Sequence, residues 1–259
     1  MLYEVPEDDE KQAAEEAPAL IWAREEPGAR RAAYSRDAIA EAALRVADKE
    51  GFSALSMRRV AQELGAGTMT LYHYVRNKDE LITLMSDRMM GELLIPDDEL
   101  PDDWRDAITE IAVRSRNAFV NHPWAIENMK GGDGGPNGMK HFEQSLLAVD
   151  GTGASPMKKL EIVSLVDDYV FGFVMRELVV GNWTDREEGD RDNSWSEATL
   201  DYFEGRIATG EYPQIAALRG DGSRDEGMKR IEEAVRSGDR FTRGLSFLLD
   251  GIEASLAES

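Results

Sequence analysis

Beyond residue 33 the apolar positions recur at spacings of three and four, and no convincing run alternates apolar with polar residues in the manner of a strand. This pattern predicts an all-α chain. In "SRDAIAEAALRVADKEG" the residues Ile39, Ala42, Ala43, Val46 and Ala47 share one face, Ser35 can cap the start and Gly51 can end the helix. "LSMRRVAQELG" places Ser56 as an N-cap, with Leu55 before it and Val60 at the staple spacing, and Gly65 as the stop. A short helix from about Thr68 to Val75 follows. Asn77 then starts "NKDELITLMSDRMMGELL", with Glu80 three residues on as in a capping box. "IPDDELPDD" interrupts the pattern, and longer helices are expected at about 102–121, 136–149, 156–181, 194–207 and 238–257. "GGDGGPNG" follows no strand and lacks the glycine spacing of a phosphate cradle, so it reads as a loop between helices, and "TDREEGDRDN" as a solvated loop.

Two short helices joined by a glycine turn, with longer helices before and after, form the pattern of a helix-turn-helix DNA reader. At 100° per residue, Leu71 and Val75 fall together with Thr68 beside them. Met69, Thr70, Tyr72, His73 and Arg76 spread over the opposite side, and Tyr74 lies nearer the buried one. Threonine can meet a base edge or a phosphate, methionine can touch a thymine methyl, and tyrosine hydroxyls reach phosphates. Lys78 adds an ammonium in the first turn of the next helix, where free backbone N–H groups favour an anion. Ser35, Ser56, Arg58, Thr68, Met69, Thr70, Tyr72, His73, Tyr74 and Lys78 are therefore the candidate DNA-contacting residues. For Tyr72 and Tyr74 the competing reading is that the rings cover a small core.

Charge sharpens this picture. The 259 residues carry a formal charge of −21, which taken alone opposes binding a polyanion. From Tyr34 to Lys78, however, seven basic residues face five acids, a balance of about +2, leaving about −23 elsewhere. Residues 1–33, with "EVPEDDEKQAAEEAP" at the front, read as an acidic, disordered arm in which "ALIW" can dock and Arg30 and Arg31 can reach a minor groove. No signal-peptide pattern or run of eighteen apolar residues is found, so the expected location is cytoplasmic. Cysteine is absent and His73, His122 and His141 are dispersed, so neither a metal site nor a cofactor is expected.

"AIAEAALRVADKEGFSALSMRRVAQELGAGTMTLYHYVRNKDELITLM" closely resembles the DNA-binding head of the TetR family of bacterial transcriptional regulators over residues 35–85. The resemblance implies that Thr68, Met69, Thr70, Tyr72, Tyr74 and Lys78 contact an operator. Gly67 departs from members that place a larger, base-touching residue there. "DDWRDAI", "NHPWAIENM", "GPNGMKHFEQSLLAV", "YVFGFVMREL" and "RFTRGLSFLLDGIEASLAES" resemble the C-terminal domain of the tetracycline-repressor type over about residues 100–259. The implied organisation is an arm at 1–33, a helix-turn-helix DNA-binding domain at 34–80 and an effector-binding and dimerisation domain at 81–259.

In that second block "LEIVSLVDDYVFGFVMRELVVG" is apolar on nearly every face. The final helix, with Phe241, Leu245, Leu248, Leu249, Ile252 and Leu256, suits half of a two-fold four-helix interface. Trp124, Met129, Phe142, Leu146, Val166, Tyr169, Val170 and Phe173 are the candidate effector-binding residues, with ordinary core packing as the competing reading. Asp167 and Asp168 interrupt the apolar helix: a buried member of that pair needs a donor or a cationic ligand, and a solvated helix edge is the competing reading. The expected protein is a homodimeric repressor of a near-palindromic operator, released by a small, mostly apolar or aromatic effector. An activator of the same fold, and an all-α ligand carrier or enzyme without DNA binding, are the alternatives. No base paired with a nucleophile supports the enzyme.

Overall fold

The computed structural model describes residues 20–27, 34–128, 134–184, 197–220, 222–236 and 239–257. Twelve α-helices and three short 3-10 turns account for its regular structure, and the described residues contain no strand.

The caps written in the sequence form as local chemistry dictates. α1 (Arg36–Glu50) starts where Ser35 Oγ accepts the Ala38 N–H at 3.1 Å, and α2 (Met57–Leu64) where Ser56 Oγ accepts the Arg59 N–H at 3.2 Å. Gly65 ends α2 in the left-handed region at φ 69°, which costs a side-chain-bearing residue strain that glycine avoids. α3 is shorter than the expected Thr68–Val75: only Thr68–Leu71 is α-helical, and the chain then tightens. His73 and Tyr74 donate to the carbonyls three residues back, Thr70 and Leu71. α4 (Lys78–Leu93) begins with Asn77 Oδ1 accepting the Glu80 N–H at 2.9 Å. Glu80 does not close the box on Asn77. Its carboxylate takes the Arg76 N–H at 2.7 Å and the Arg24 guanidinium at 2.5 Å.

The remaining helices are α5 (Trp104–Asn121), α6 (Pro123–Asn128), α7 (Pro136–Ala148), α8 (Pro156–Thr184), α9 (Glu197–Ala208), α10 (Pro213–Arg219), α11 (Arg224–Arg236) and α12 (Arg240–Ala257). α6, α10 and α11 are additions to the periodicity reading. α11 had a local signal, since Ser223 Oγ accepts the Glu226 N–H at 3.3 Å while Glu226 Oε2 accepts the Ser223 N–H at 2.8 Å, a complete capping box.

The chain divides into two compact units, one within Met1–Leu94 and Glu127–Glu143, the other within Ile95–Ile126 and Gln144–Ser259. The core of the first is α1 laid against α4, with Ile39, Val46, Val60, Leu71, Leu81 and Met85 almost wholly buried. Within the same unit the "ALIW" segment docks: Ile21 is 3 % exposed, and Arg36 donates to the carbonyls of Ile21 and Arg24 at 2.8 Å each. Of "GGDGGPNG", expected as a loop, residues 131–133 lie outside the described residues, and Pro136, Asn137 and Gly138 form the first turn of α7, which is held closely. Asp87 Oδ1 accepts the N–H groups of Asn137 and Gly138 at 3.0 Å each, capping the start of α7 from the side of α4. A Cβ on Gly135 would come within 2.3 Å of Asp87 and 2.6 Å of Trp22, so only glycine fits. In the second unit α8 packs against α5 and α12, with Ile108, Ile162, Val166, Val170, Val174, Leu245 and Leu249 buried.

Candidate DNA-binding surface and ligand pocket

In the first unit α2, the Gly65 turn and α3 present a surface that α1 and α4 support from behind. Leu71 and Val75 are fully buried and anchor the short helix, which leaves Met69, Tyr72 and His73 facing outward. Met69 is 75 % exposed and Tyr72 46 %, while Thr68 and Thr70 are half-buried and His73 is exposed. An exposed Met and Tyr side by side on a four-residue helix is apolar surface awaiting a partner. Tyr74 differs from its neighbour: at 6 % exposed it belongs with Leu71 and Val75.

Charge on this surface is sorted by pairing. Arg59 is held by Glu50 at 2.5 Å and Glu63 at 2.8 Å, and Arg45 reaches Glu63 at 3.4 Å, so acids near the surface are neutralised. Hydrogen bonds from Arg59 hold the Glu50 and Glu63 carboxyls below their usual range. Arg58, Arg76 and Lys78 remain exposed, with Lys78 Nζ 5.4 Å from the centre of the Phe52 ring. Ser35 and Ser56 serve as the N-caps of α1 and α2.

The candidate effector residues divide by location. Trp124, Val166 and Val170 are buried in the second unit, Leu146 is half-buried there, and Phe142 lies in the first unit at 47 % exposed. Met129 is outside the described residues. Tyr169 and Phe173 turn toward α12: their rings lie 5.5 and 5.1 Å from Phe241, and the Tyr169 hydroxyl donates to the Phe241 carbonyl at 2.8 Å. The other flank of α8 meets α5, where Phe119 and Phe171 approach to 4.9 Å and the Arg116 guanidinium pairs with Glu177 at 2.9 Å. Asp167 is half-buried on this flank, and burial with the neighbouring Asp168 pushes it up to about 6.

A recess of about 350 Å³ between α9, α10 and α11 was not foreseen. Tyr202, Phe203, Tyr212, Ile215 and Met228 line it, and none of the sequence-predicted effector residues does. Of its helices, α10 is only seven residues long, too short for periodicity to mark it. No cluster of metal-binding side chains is found among the described residues. No helix of the described residues is long and apolar enough to cross a membrane.

Comparison with known proteins agrees with this architecture. Residues 39–85 match the family model of bacterial regulatory proteins of the tetR family, and residues 95–256 that of the tetracyclin repressor-like C-terminal domain. The HTH-type transcriptional repressor DrrR1 of Streptomyces coeruleorubidus is 33 % identical over 223 residues, 86 % of this chain and 78 % of that protein. An HTH-type transcriptional regulator of Saccharopolyspora erythraea is 29 % identical over 93 % of this chain and 94 % of its own. Among solved structures, the TetR family protein ActR of Streptomyces coelicolor in complex with (S)-DNPA superposes with a TM-score of 0.65 at 26 % identity, over 87 % of this chain and all of that one. The ActR complex with actinorhodin gives 0.59 at 27 %, over 87 % of this chain and 99 % of that one. With both family models matched in order along a helical chain that displays Met69 and Tyr72 on a short second helix, the protein belongs to the TetR family of transcriptional regulators.

Proposed function

We propose that the protein is a homodimeric, ligand-released repressor that reads a near-palindromic operator through α3. The observation that carries this reading is the outward display of Met69, Thr70 and Tyr72 over a buried Leu71, flanked by the exposed cations Arg58, Arg76 and Lys78. In this reading residues 34–80 bind DNA and residues 81–259 bind effector and dimerise. Repression is favoured by the likeness to DrrR1, whose name describes a repressor, and an aromatic effector by the likeness to ActR, solved with actinorhodin.

Dimerisation is supported by α8 and α12. Phe241, Leu245, Leu249 and Ile252 are used inside the chain, yet Phe247 is 69 % and Leu165 41 % exposed beside a shallow apolar recess that Leu248 and Gly251 also line. A second copy of the same seam would complete a four-helix interface and set two α3 helices about 34 Å apart, one turn of DNA. The test is retention of the DNA upstream of the protein's own gene in a mobility-shift titration against random duplex at moderate salt. Specific retention as a two-fold complex is expected, and equal affinity for random duplex would overturn the reading.

A further inference from the structure

Residues 20–27 do more than fill the core of the first unit. Ile21 is buried, Arg36 donates to the carbonyls of Ile21 and Arg24 at 2.8 Å each, and Glu26 Oε1 accepts the Arg36 N–H at 2.7 Å. The start of α1 thus grips the segment on both sides of Arg24. From this anchorage Arg24 reaches 56 residues along the chain. Its guanidinium donates to Glu80 Oε2 at 2.5 Å, the same oxygen that accepts the Arg76 N–H at 2.7 Å. The pair is shielded, with the Arg24 side chain 18 % and the Glu80 side chain 15 % exposed.

That oxygen stands where the reading surface meets α4. Arg76 and Asn77 join the tightened end of α3 to α4, and Arg76 and Lys78 are both exposed. Within this turn Arg76 and Lys78 face Asp79 and Glu80, two cations against two acids, and Arg24 tips the balance to +1. Left unpaired, the Glu80 carboxylate would lie two residues from Lys78, well within the screening length of about 8–10 Å over which it repels a phosphate. Paired, it is neutralised and holds the Arg76 amide by a charge-assisted hydrogen bond. Arg24 is itself too enclosed to meet a phosphate, since its Nε is buried and its Nη2 is spent on Glu80.

We propose that Arg24 is a positioning residue for operator binding: it neutralises Glu80 and fixes it over the Arg76 amide, so that the turn into α4 presents Arg76 and Lys78 to the duplex. The inference rests on the proposed operator-binding reading, and one part of its test uses no DNA. In the full chain, Arg24→Gln is expected to weaken retention of the upstream DNA about tenfold while the protein stays folded by thermal melting, and Arg24→Lys to recover most of that loss. In a Glu80→Gln background, with no charge left to cancel, Arg24→Gln should change affinity by less than about twofold and leave the salt dependence alone. A direct phosphate contact would instead cost affinity in both backgrounds, and about two units of log–log salt slope in a two-fold complex. Without DNA, amide exchange at Arg76 should quicken about tenfold in Arg24→Gln. Unchanged retention by Arg24→Gln, an equal loss in both backgrounds, a loss that Arg24→Lys does not recover, or unaltered exchange at Arg76 would each overturn the proposal. If the unaltered protein shows no preference for the upstream DNA while Arg24→Gln quickens the exchange, the repressor reading alone is overturned and Arg24 stands as the residue that sets this turn.

Discussion

Tyr72 and Tyr74 are two residues apart in a stretch without acids, yet one is 46 % exposed and the other 6 %. Their truncations should therefore fail in different ways. Tyr74→Ala opens a cavity behind Leu71 and Val75 and is expected to cost about 3–5 kcal/mol of stability, the scale of large aromatic truncations, as read by urea denaturation. Tyr72→Ala should leave the denaturation midpoint almost unmoved while weakening binding to every duplex, as loss of a phosphate contact does. Thr70→Ala and Met69→Ala should relax sequence preference instead, seen as a flatter ranking of operator variants. A different signature belongs to Asp167. Its carboxyl is raised in the folded chain, so ionising it opposes folding, and the penalty grows as pH climbs from about 4 to above 6. Asp167→Asn should thus raise the melting temperature at pH 7.5, by a gain on the order of 2 kcal/mol after allowing for its partial exposure, and leave it unchanged at pH 4. His141, held neutral and lowered to about 4 by burial, works in the opposite sense, destabilising the fold as pH falls below about 6.5.

Elements that a few neighbouring residues can specify were legible in the sequence. Ser35, Ser56 and Asn77 cap helices through hydrogen bonds to N–H groups three residues on, and Gly65 terminates α2 by its own φ, so local chemistry sufficed. The docking of Ile21, the grip of Asp87 on Asn137 and the turn of Tyr169 toward Phe241 span 50 or more residues, or rest on which neighbour a face meets, and periodicity carries neither. α10 was missed because a seven-residue helix that leaves Ile215 and Leu218 exposed shows no clean apolar stripe, whereas α11 carries Met228, Ile231 and Val235 at helical spacing that the periodicity reading passed over. Removing the Ile21 side chain is expected to cost about 2–5 kcal/mol and several degrees of melting temperature, an outcome that an unattached arm would not produce. Gly135→Ala should be as disruptive as it is small, since the added methyl meets Asp87 and Trp22, with about 1–3 kcal/mol expected for overpacking. Gly134→Ala, with open space around its Cβ, is the matched control in the same denaturation series.

Across the whole molecule, acidity is kept away from the surface that meets DNA, and the cations free to meet phosphates are few. Arg45 and Arg59 are occupied by Glu50 and Glu63, and Arg36 by the docked segment, leaving Arg58, Arg76 and Lys78 exposed from α2 to the start of α4, and Lys49 exposed at the end of α1. A dimer then offers about six phosphate contacts, and log K against log salt concentration should fall with a slope of about −5. A slope near −10 would mean that the arm, with Arg30 and Arg31, also lies on the duplex. The first unit has one more consequence, for anyone grafting this head onto a foreign sensor. It is assembled from stretches far apart in sequence, because Ile21 fills its core and Asp87 is satisfied by Asn137 and Gly138. A chimera that transplants residues 34–94 alone would inherit a hole and an orphaned carboxylate, whereas one that transplants residues 20–94 together with 134–143 would carry the head intact.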